Sequence, residues 1–154
     1  MSQVKILILA AFPIYFIALW CFILWLIALA GGWKKLSGHY RQLGDFQGQI
    51  LRMQSARLNW SNYSNILRIG LSERGLYMSP MVLFRPFHPP LLIPWEEIEA
   101  EPFQQALWRG YRLRFRSVPG VRLELYQGTF QQVLDFLEGY PDRLHIDKPE
   151  RKRY

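Results

Sequence analysis

The sequence predicts an α+β protein, with a long apolar helix first, several antiparallel strands next and one amphipathic helix near the end. Three observations lead to this prediction. Residues 6–29 contain no charged side chain, short alternating apolar segments begin at residue 49, and helical periodicity returns at residues 130–138. Strands and helices that are segregated along a chain are typical of this class. We divide the chain into four segments, 1–30, 31–48, 49–140 and 141–154.

Composition limits the partners and the chemistry that we expect. The 154 residues have a formal net charge of +7, which favours phospholipid headgroups, an acidic protein surface or nucleic acid as partners. We expect no nucleic acid, because only Tyr126 beside Arg112 would offer an aromatic platform on a basic strand face. The single cysteine, Cys21, lies in the apolar run, so neither an intrachain disulfide nor a thiolate metal cluster is expected.

Residues 6–29 predict a membrane-spanning helix. At about 1.5 Å per residue they would extend roughly 36 Å, more than the ~30 Å of a hydrocarbon core. A cleaved signal peptide is the alternative, since Ala28-Leu29-Ala30 precedes Gly31. The apolar run is longer than the ~7–15 residues of a signal-peptide core, and only Lys5 precedes it. We therefore predict a permanent anchor in the lipid bilayer.

The charges on either side of this helix predict its orientation. Lys34, Lys35 and Arg41 follow the helix, whereas Lys5 alone precedes it. Positively charged flanks stay in the cytoplasm. We predict a single-pass protein of the inner (plasma) membrane with a cytoplasmic C-terminal domain.

Residues 31–48 predict a short amphipathic helix next to the membrane, because Leu36 and Leu43 recur with two aromatic residues at helical spacing. Two interpretations remain open: the helix lies among lipid headgroups, or it is a linker packed on the domain. The first interpretation makes five residues candidates for the membrane interface: Trp33, Lys34, Lys35, Tyr40 and Arg41.

The domain from residue 49 to residue 140 is predicted to consist of strands and one helix. A strand is expected at residues 50–57, and residues 67–71 and 76–78 predict a hairpin with Leu71 opposite Leu76. Prolines predict a loop at residues 86–90, followed by a short strand at residues 91–93.

A second hairpin is predicted from residues 111–116 and 121–126. A three-residue loop with Gly120 in the left-handed conformation would set Phe115 opposite Leu123. The same register places like charges, Arg116 and Arg122, opposite each other, which is destabilising unless an anion binds there. Alternatively the side chains extend into water or meet a carboxylate of residues 96–101. The candidate anion- or partner-binding residues are Arg112, Arg114, Arg116 and Arg122.

The last helix is predicted at residues 130–138, with Thr129 as its N-cap and Gly139 at its end. Residues 141–154 predict a charged, mobile tail, in which Arg151, Lys152 and Arg153 are candidates for contact with anionic lipid.

Several antiparallel strands followed by one amphipathic helix, with the segments RGLYMS and IPWEEI, resemble bacterial pleckstrin-homology-like (PH-like) or GRAM-like domains tethered to membrane helices. The segment LFRPFHPPLLIPW is similar to one in small bacterial single-pass membrane proteins. The resemblance implies an antiparallel β-barrel or sandwich closed by a C-terminal helix, which binds lipid headgroups or protein. Residues 59–65 depart from the pattern, because they carry none of the cations of the usual phosphoinositide loop.

No catalytic or metal-binding motif is recognisable. His39, His88 and His145 lie far apart without metal-ligand spacing, and no nucleophile elbow or phosphate-binding glycine pattern occurs. We therefore expect a non-enzymatic scaffold or binding module without metal or cofactor, which acts at the membrane through its basic sheet face. An accessory subunit of a multi-protein membrane complex, with its helix packed on other helices, is the alternative.

Overall fold

A computed structural model describes residues 2–146, so the tail residues Arg151, Lys152 and Arg153 lie outside the described part of the chain. The helices are α1 (Gln3–Ala30), α2 (Trp33–Tyr40) and α3 (Gln127–Leu137), with 3₁₀ turns at Val82–Phe84 and Trp95–Glu97. The strands are β1 (Gln49–Leu58), β2 (Ser61–Ser72), β3 (Gly75–Pro80), β4 (Leu91–Ile93), β5 (Ile98–Gln105), β6 (Trp108–Phe115), β7 (Val118–Tyr126) and β8 (His145–Ile146).

Helix α1 extends from the N-terminal end as an uninterrupted helix with its side chains largely exposed. Pro13 lies inside it, near its first turns. Within residues 2–146 it is the one helix long and apolar enough to cross a membrane, and its 18-residue apolar window has no buried residue. This helix is compatible with a single-pass anchor. Only Leu24 and Ala28 of α1 are buried, both in its C-terminal third.

In residues 2–146 the strands form one eight-stranded sheet in the order β4-β3-β2-β1-β7-β6-β5-β8. Neighbouring strands are antiparallel except β5 and β8, which are parallel. The expected closed barrel or sandwich is not seen, because the outermost strands β4 and β8 do not pair with each other. The free edge of β4 is instead covered by the end of α2. Arg41 forms a bridge with Leu91, and the Gln42 amide donates to the Pro90 carbonyl at 2.8 Å.

The first predicted hairpin is confirmed. Leu71 lies opposite Leu76 and Ile69 lies opposite Met78, so both apolar faces agree. The predicted loop at residues 86–90 and the short strand β4 are also present. Local alternation and proline positions were sufficient to predict this hairpin and β4, although β2 begins at Ser61, before the predicted strand at residues 67–71.

The register predicted for the second hairpin is wrong by two residues. Leu123 lies opposite Leu113, not Phe115, and the like charges that face each other are Arg114 and Arg122. The turn is Arg116–Ser117, and a bulge follows in β7. Because a shift of two residues keeps the same side chains on the same face, alternation could not distinguish the two registers. Gly120 also lacks the predicted positive φ.

Helix α3 covers one face of β6 and β7. Phe130, Val133 and Leu137 are buried, and the Phe130 ring stacks on Tyr111 with centroids 4.0 Å apart. The predicted cap is wrong. The helix begins at Gln127, and the Thr129 hydroxyl donates to the Gln54 side chain at 2.8 Å instead. No side chain of the described residues caps the beginning of α3, and the Thr129 hydroxyl is used in a tertiary contact with β1.

Candidate membrane and anion-binding surfaces

Helix α2 is packed on the domain, so the headgroup interpretation is wrong for its aromatic residues. The Trp33 side chain is fully buried, and its indole donates to the Pro89 carbonyl at 3.0 Å. The Tyr40 side chain is 6% exposed and belongs to the same core. The buried stripe of α2, which also contains Leu36, packs on β4 and β7. Among the predicted interface residues, only the cations are exposed: Lys34, Lys35 and Arg41.

A carboxylate fixes the far end of α2 to the domain. The Glu97 carboxylate accepts hydrogen bonds from the Tyr40 hydroxyl at 2.7 Å and from the Ser117 hydroxyl and amide at 2.7 and 3.1 Å. The pKa of the Glu97 carboxyl is held below its usual range, mainly by the hydrogen bond from Ser117 and secondly by that from Tyr40. The pKa of the Tyr40 hydroxyl is raised, mainly by burial and secondly by its hydrogen bond to Glu97. The network joins α2, the Trp95–Glu97 turn and the β6–β7 turn.

Arg112, one of the four predicted binding arginines, is instead part of an ion-pair network within the sheet. Its guanidinium lies 3.1 Å from the Glu124 carboxylate and 3.6 Å from that of Glu101. Glu124 also pairs with Arg57 at 2.9 Å. Arg112 is therefore engaged within the sheet, and its side chain is less exposed than those of Arg114 and Arg116.

Arg114, Arg116 and Arg122 are brought together at the surface. Arg114 pairs with Glu101 at 2.9 Å and Arg116 pairs with Glu99 at 3.2 Å. Both pairs are exposed, so each contributes little to stability and opens readily. Arg122 is exposed and makes no ion pair with any residue of the described segment 2–146. Two of these arginines therefore meet a carboxylate of residues 96–101 and the third extends toward solvent, as the second interpretation expected.

These three arginines line a surface hollow of about 480 Å³, which we call the arginine hollow. Its other lining residues are Glu99, Phe115 and Pro119, and with Glu101 beside Arg114 the three cations face two carboxylates. The Arg122 amide donates to the Asn59 side chain at 2.9 Å, and the adjacent Trp60 indole donates to the Ala30 carbonyl at 3.1 Å. The arginine hollow consequently lies near the C-terminal end of α1.

A second basic hollow was not predicted from the sequence. Arg52 and Arg68 line a cavity of about 360 Å³ together with Met53, Met81 and Val82, which we call the loop hollow. The interrupted alternation of residues 50–57 was a signal for it, because a bulge lies between Leu51 and Gln54. The apolar run at residues 81–84 was a second signal, and the structure leaves Met81, Val82 and Leu83 exposed.

The described residues do not gather a metal site. No group of three or more His, Cys, Asp and Glu side chains within residues 2–146 could hold a metal ion. His88 is buried between aromatic rings, and its ring centroid lies 5.2 Å from that of Trp33 and 5.9 Å from that of Tyr63. Burial lowers the pKa of His88.

No protein-family model matches this chain, and no curated protein matches it. The candidate surfaces are therefore defined by their geometry and charge.

Proposed function

We propose that this protein is a non-catalytic binding or scaffold module, anchored by one transmembrane helix, whose PH-like domain acts at the cytoplasmic membrane surface. The arginine hollow binds an acidic group, carboxylate or phosphate, of its partner. The exposure of α1 supports the proposal most directly.

The first two thirds of α1 expose apolar side chains on every side. Among the large residues before Trp20, several are more than half exposed to solvent: Leu7, Leu9, Ile14, Tyr15 and Ile17. Burying one such side chain is favourable by about 1.5–3 kcal/mol, so this surface requires an apolar surrounding. Lys5 precedes the run, and Lys34 and Lys35 follow it, as expected for a helix that crosses a bilayer.

The order of the elements favours a PH-like domain. Strands β1 to β4 form one antiparallel meander, and β5 to β7 form a second. The two meanders are joined where β1 pairs with β7. Helix α3 follows the last of these strands and packs on β6 and β7. A PH-like domain binds ligands with its surface rather than with a catalytic centre, and the arginine hollow is such a surface.

Charge reversal tests the role of the arginine hollow. We expect Arg116→Glu/Arg122→Glu to lose the acidic partner that co-purifies with the wild-type chain after extraction in mild detergent. The control Arg74→Glu/Arg109→Glu changes the net charge equally at exposed positions elsewhere and should keep that partner. Equal retention of the partner by both double variants would contradict the proposal for this hollow.

Carbonate washing of membranes tests the anchor separately. The wild-type chain should stay in the membrane fraction because α1 spans the bilayer. Its release, or a mature chain that begins near Gly31, would contradict the proposed anchor.

The accessory-subunit alternative is distinguished by scrambling the membrane segment. Residues from Trp20 onward contact the chain's own domain, so the scramble must be confined to residues 6–19. A helix that serves only as an anchor needs apolarity alone, and the scrambled chain should keep its partner. A subunit that packs laterally on other helices would lose its complex.

A further inference from the structure

The loop between β3 and β4 is attached to the side of α1, well above the end of that helix. The Trp20 indole donates to the Leu83 carbonyl at 3.2 Å, and its ring lies 5.4 Å from the ring of Phe84. Trp20 precedes Ala30 by ten residues, which corresponds to about 15 Å along the helix axis. The loop therefore rises along α1 toward the membrane segment.

The position of Trp20 relative to the bilayer follows from the length of α1. A hydrocarbon core of ~30 Å takes up roughly 20 helical residues. If the core begins directly after Lys5, it ends near Trp25. Trp20 then lies about 8 Å inside that boundary. Because Leu83 is hydrogen-bonded to Trp20, the tip of the loop lies at the same depth.

The loop has the composition of a segment that enters lipid. The side chains of Val82, Leu83 and Phe87 are 73%, 67% and 52% exposed, and Met81 is 42% exposed. Contiguous exposed apolar residues of this kind mark an interaction surface on a soluble domain. Their attachment to α1 identifies the apolar medium as the bilayer that surrounds that helix.

Directly beside this loop, the loop hollow combines cations with apolar side chains. Arg52 and Arg68 make no ion pair with any residue between positions 2 and 146, whereas Arg112, Arg114 and Arg116 are paired. An unpaired guanidinium next to a bilayer is a strong donor for a phosphate group.

The backbone conformation at Met53 supports a preformed binding site. Met53 has a φ of 53°, in the left-handed region that side chains other than glycine rarely adopt. It lies in the irregular segment between Leu51 and Gln54, where β1 departs from regular pairing with β2. Such bulges redirect side chains, and here the Met53 side chain is 65% exposed and lines the loop hollow.

We infer that the loop hollow binds an anionic phospholipid of the bilayer, with the lipid phosphate on Arg52 and Arg68 and its acyl chain along Met53, Met81 and Val82. The inference rests on the proposed anchoring of α1 and adds a second, lipid-specific contact to it. The arginine hollow is left for the partner. Residues 81–87 enter the membrane beside Trp20 and hold the domain in one orientation on the surface.

Lipid retention by the full-length chain tests the site. The chain, purified in detergent, is mixed with equal amounts of phosphatidylglycerol and phosphatidylcholine with identical acyl chains, and the retained lipid is counted by native mass spectrometry. We expect the wild-type chain to prefer phosphatidylglycerol about tenfold. Arg52→Gln/Arg68→Gln should abolish that preference, whereas Arg74→Gln/Arg109→Gln should keep it. A preference that survives in the first double variant would overturn the inference.

Two further measurements test whether the bound phosphate belongs to a lipid and whether the loop enters the membrane. Millimolar inorganic phosphate should leave the lipid bound, and complete displacement would overturn the contribution of the acyl chain. A fluorophore on Val82→Cys in a Cys21→Ala background should be quenched by brominated lipids in nanodiscs, whereas one on Arg74→Cys should not. An unquenched label at residue 82 would overturn the insertion of the loop.

The outcome for the anchor is distinguishable from the outcome for the lipid site. Release of the wild-type chain by carbonate would overturn both the anchor and the lipid site. Retention of the chain in membranes without any preference for phosphatidylglycerol would overturn the lipid site alone.

Discussion

Nε2 of His88 lies 3.2 Å from the hydroxyl of Tyr63 in the interior of the domain. Nδ1 of the same ring lies 3.0 Å from the Pro86 carbonyl oxygen, which can only accept a hydrogen bond. The neutral ring therefore carries its proton on Nδ1, and Tyr63 donates to Nε2. Protonation of His88 would turn Nε2 into a donor, so the Tyr63 hydroxyl would have to accept and its own proton would lose this buried partner.

This relationship predicts a pH dependence of stability. Burial lowers the pKa of His88 below its usual 6.5, so the unfolded chain binds the proton first as the pH falls. The free energy of unfolding should be constant with respect to this group above pH 6.5. Below pH 6.5 it should decrease by at most about 1.4 kcal/mol per pH unit, until the pH reaches the folded-state pKa.

Urea unfolding of the full chain in detergent micelles, followed by tryptophan fluorescence between pH 5 and pH 8, measures this slope. His88→Gln should remove it, whereas His39→Gln, at an exposed position, should leave it unchanged. An identical slope in the wild type and His88→Gln would refute this assignment.

The packing of α2 predicts unequal effects of two leucine substitutions. Leu36 is fully buried, so Leu36→Ala should lower the free energy of unfolding by about 2–5 kcal/mol. Leu43, at the same helical spacing in the sequence, is 81% exposed. Leu43→Ala should therefore change the free energy of unfolding by less than about 0.5 kcal/mol. Chemical denaturation gives both values. Equal effects would mean that α2 is not packed on the sheet in solution.

The ion pairs predict that two of the basic-face arginines have different roles. Arg112→Ala removes a partner of both Glu124 and Glu101 and should lower the free energy of unfolding by about 1 kcal/mol. Arg122→Ala removes no ion pair within residues 2–146 and should leave stability within about 0.5 kcal/mol of the wild type. Thermal unfolding and co-purification of the partner distinguish the two variants. Arg112→Ala should mainly lower the unfolding temperature, whereas Arg122→Ala should only weaken retention of the partner.

The observed register of β6 predicts that Gly110 cannot be replaced. A Cβ atom at Gly110 would overlap the carbonyl oxygen of Leu125 on the neighbouring strand, and the backbone there cannot move aside cheaply. Gly110→Ala should lower the free energy of unfolding by about 1–3 kcal/mol. Gly120→Ala is the matched control, because nothing lies within 4 Å of its Cβ position and its φ is not positive. A stable Gly110→Ala variant would contradict the pairing of β6 with β7.

Several elements could be predicted from the sequence because their signals are local. The absence of charge in residues 6–29 indicated α1, and the alternation around Leu71 and Leu76 indicated the hairpin of β2 and β3. Residues 103–110 gave no comparable signal, so the end of β5 and the beginning of β6 were not predicted. Strand β8 lies in the segment predicted as a mobile tail; it pairs with β5, and its Ile146 packs against the core.

The candidate sites were predictable only in part. The positions of Arg114, Arg116 and Arg122 on one face followed from alternation, but their partners did not, because Glu99 and Glu101 come from β5. The loop hollow joins residues of β1 and β2 to a loop beyond β3, and no spacing in the sequence predicts that contact.

By itself the sequence determined which side chains are apolar on each element, and hence the α+β class and the exposed helix α1. Only the tertiary structure decided that Trp33 and Tyr40 face the sheet, that Arg114 lies opposite Arg122, and that Leu83 contacts Trp20. The physical reason is that periodicity fixes the direction of a side chain relative to its own backbone. Its partner depends on contacts between segments far apart in the chain, where a two-residue shift or a different apolar neighbour satisfies the same local pattern.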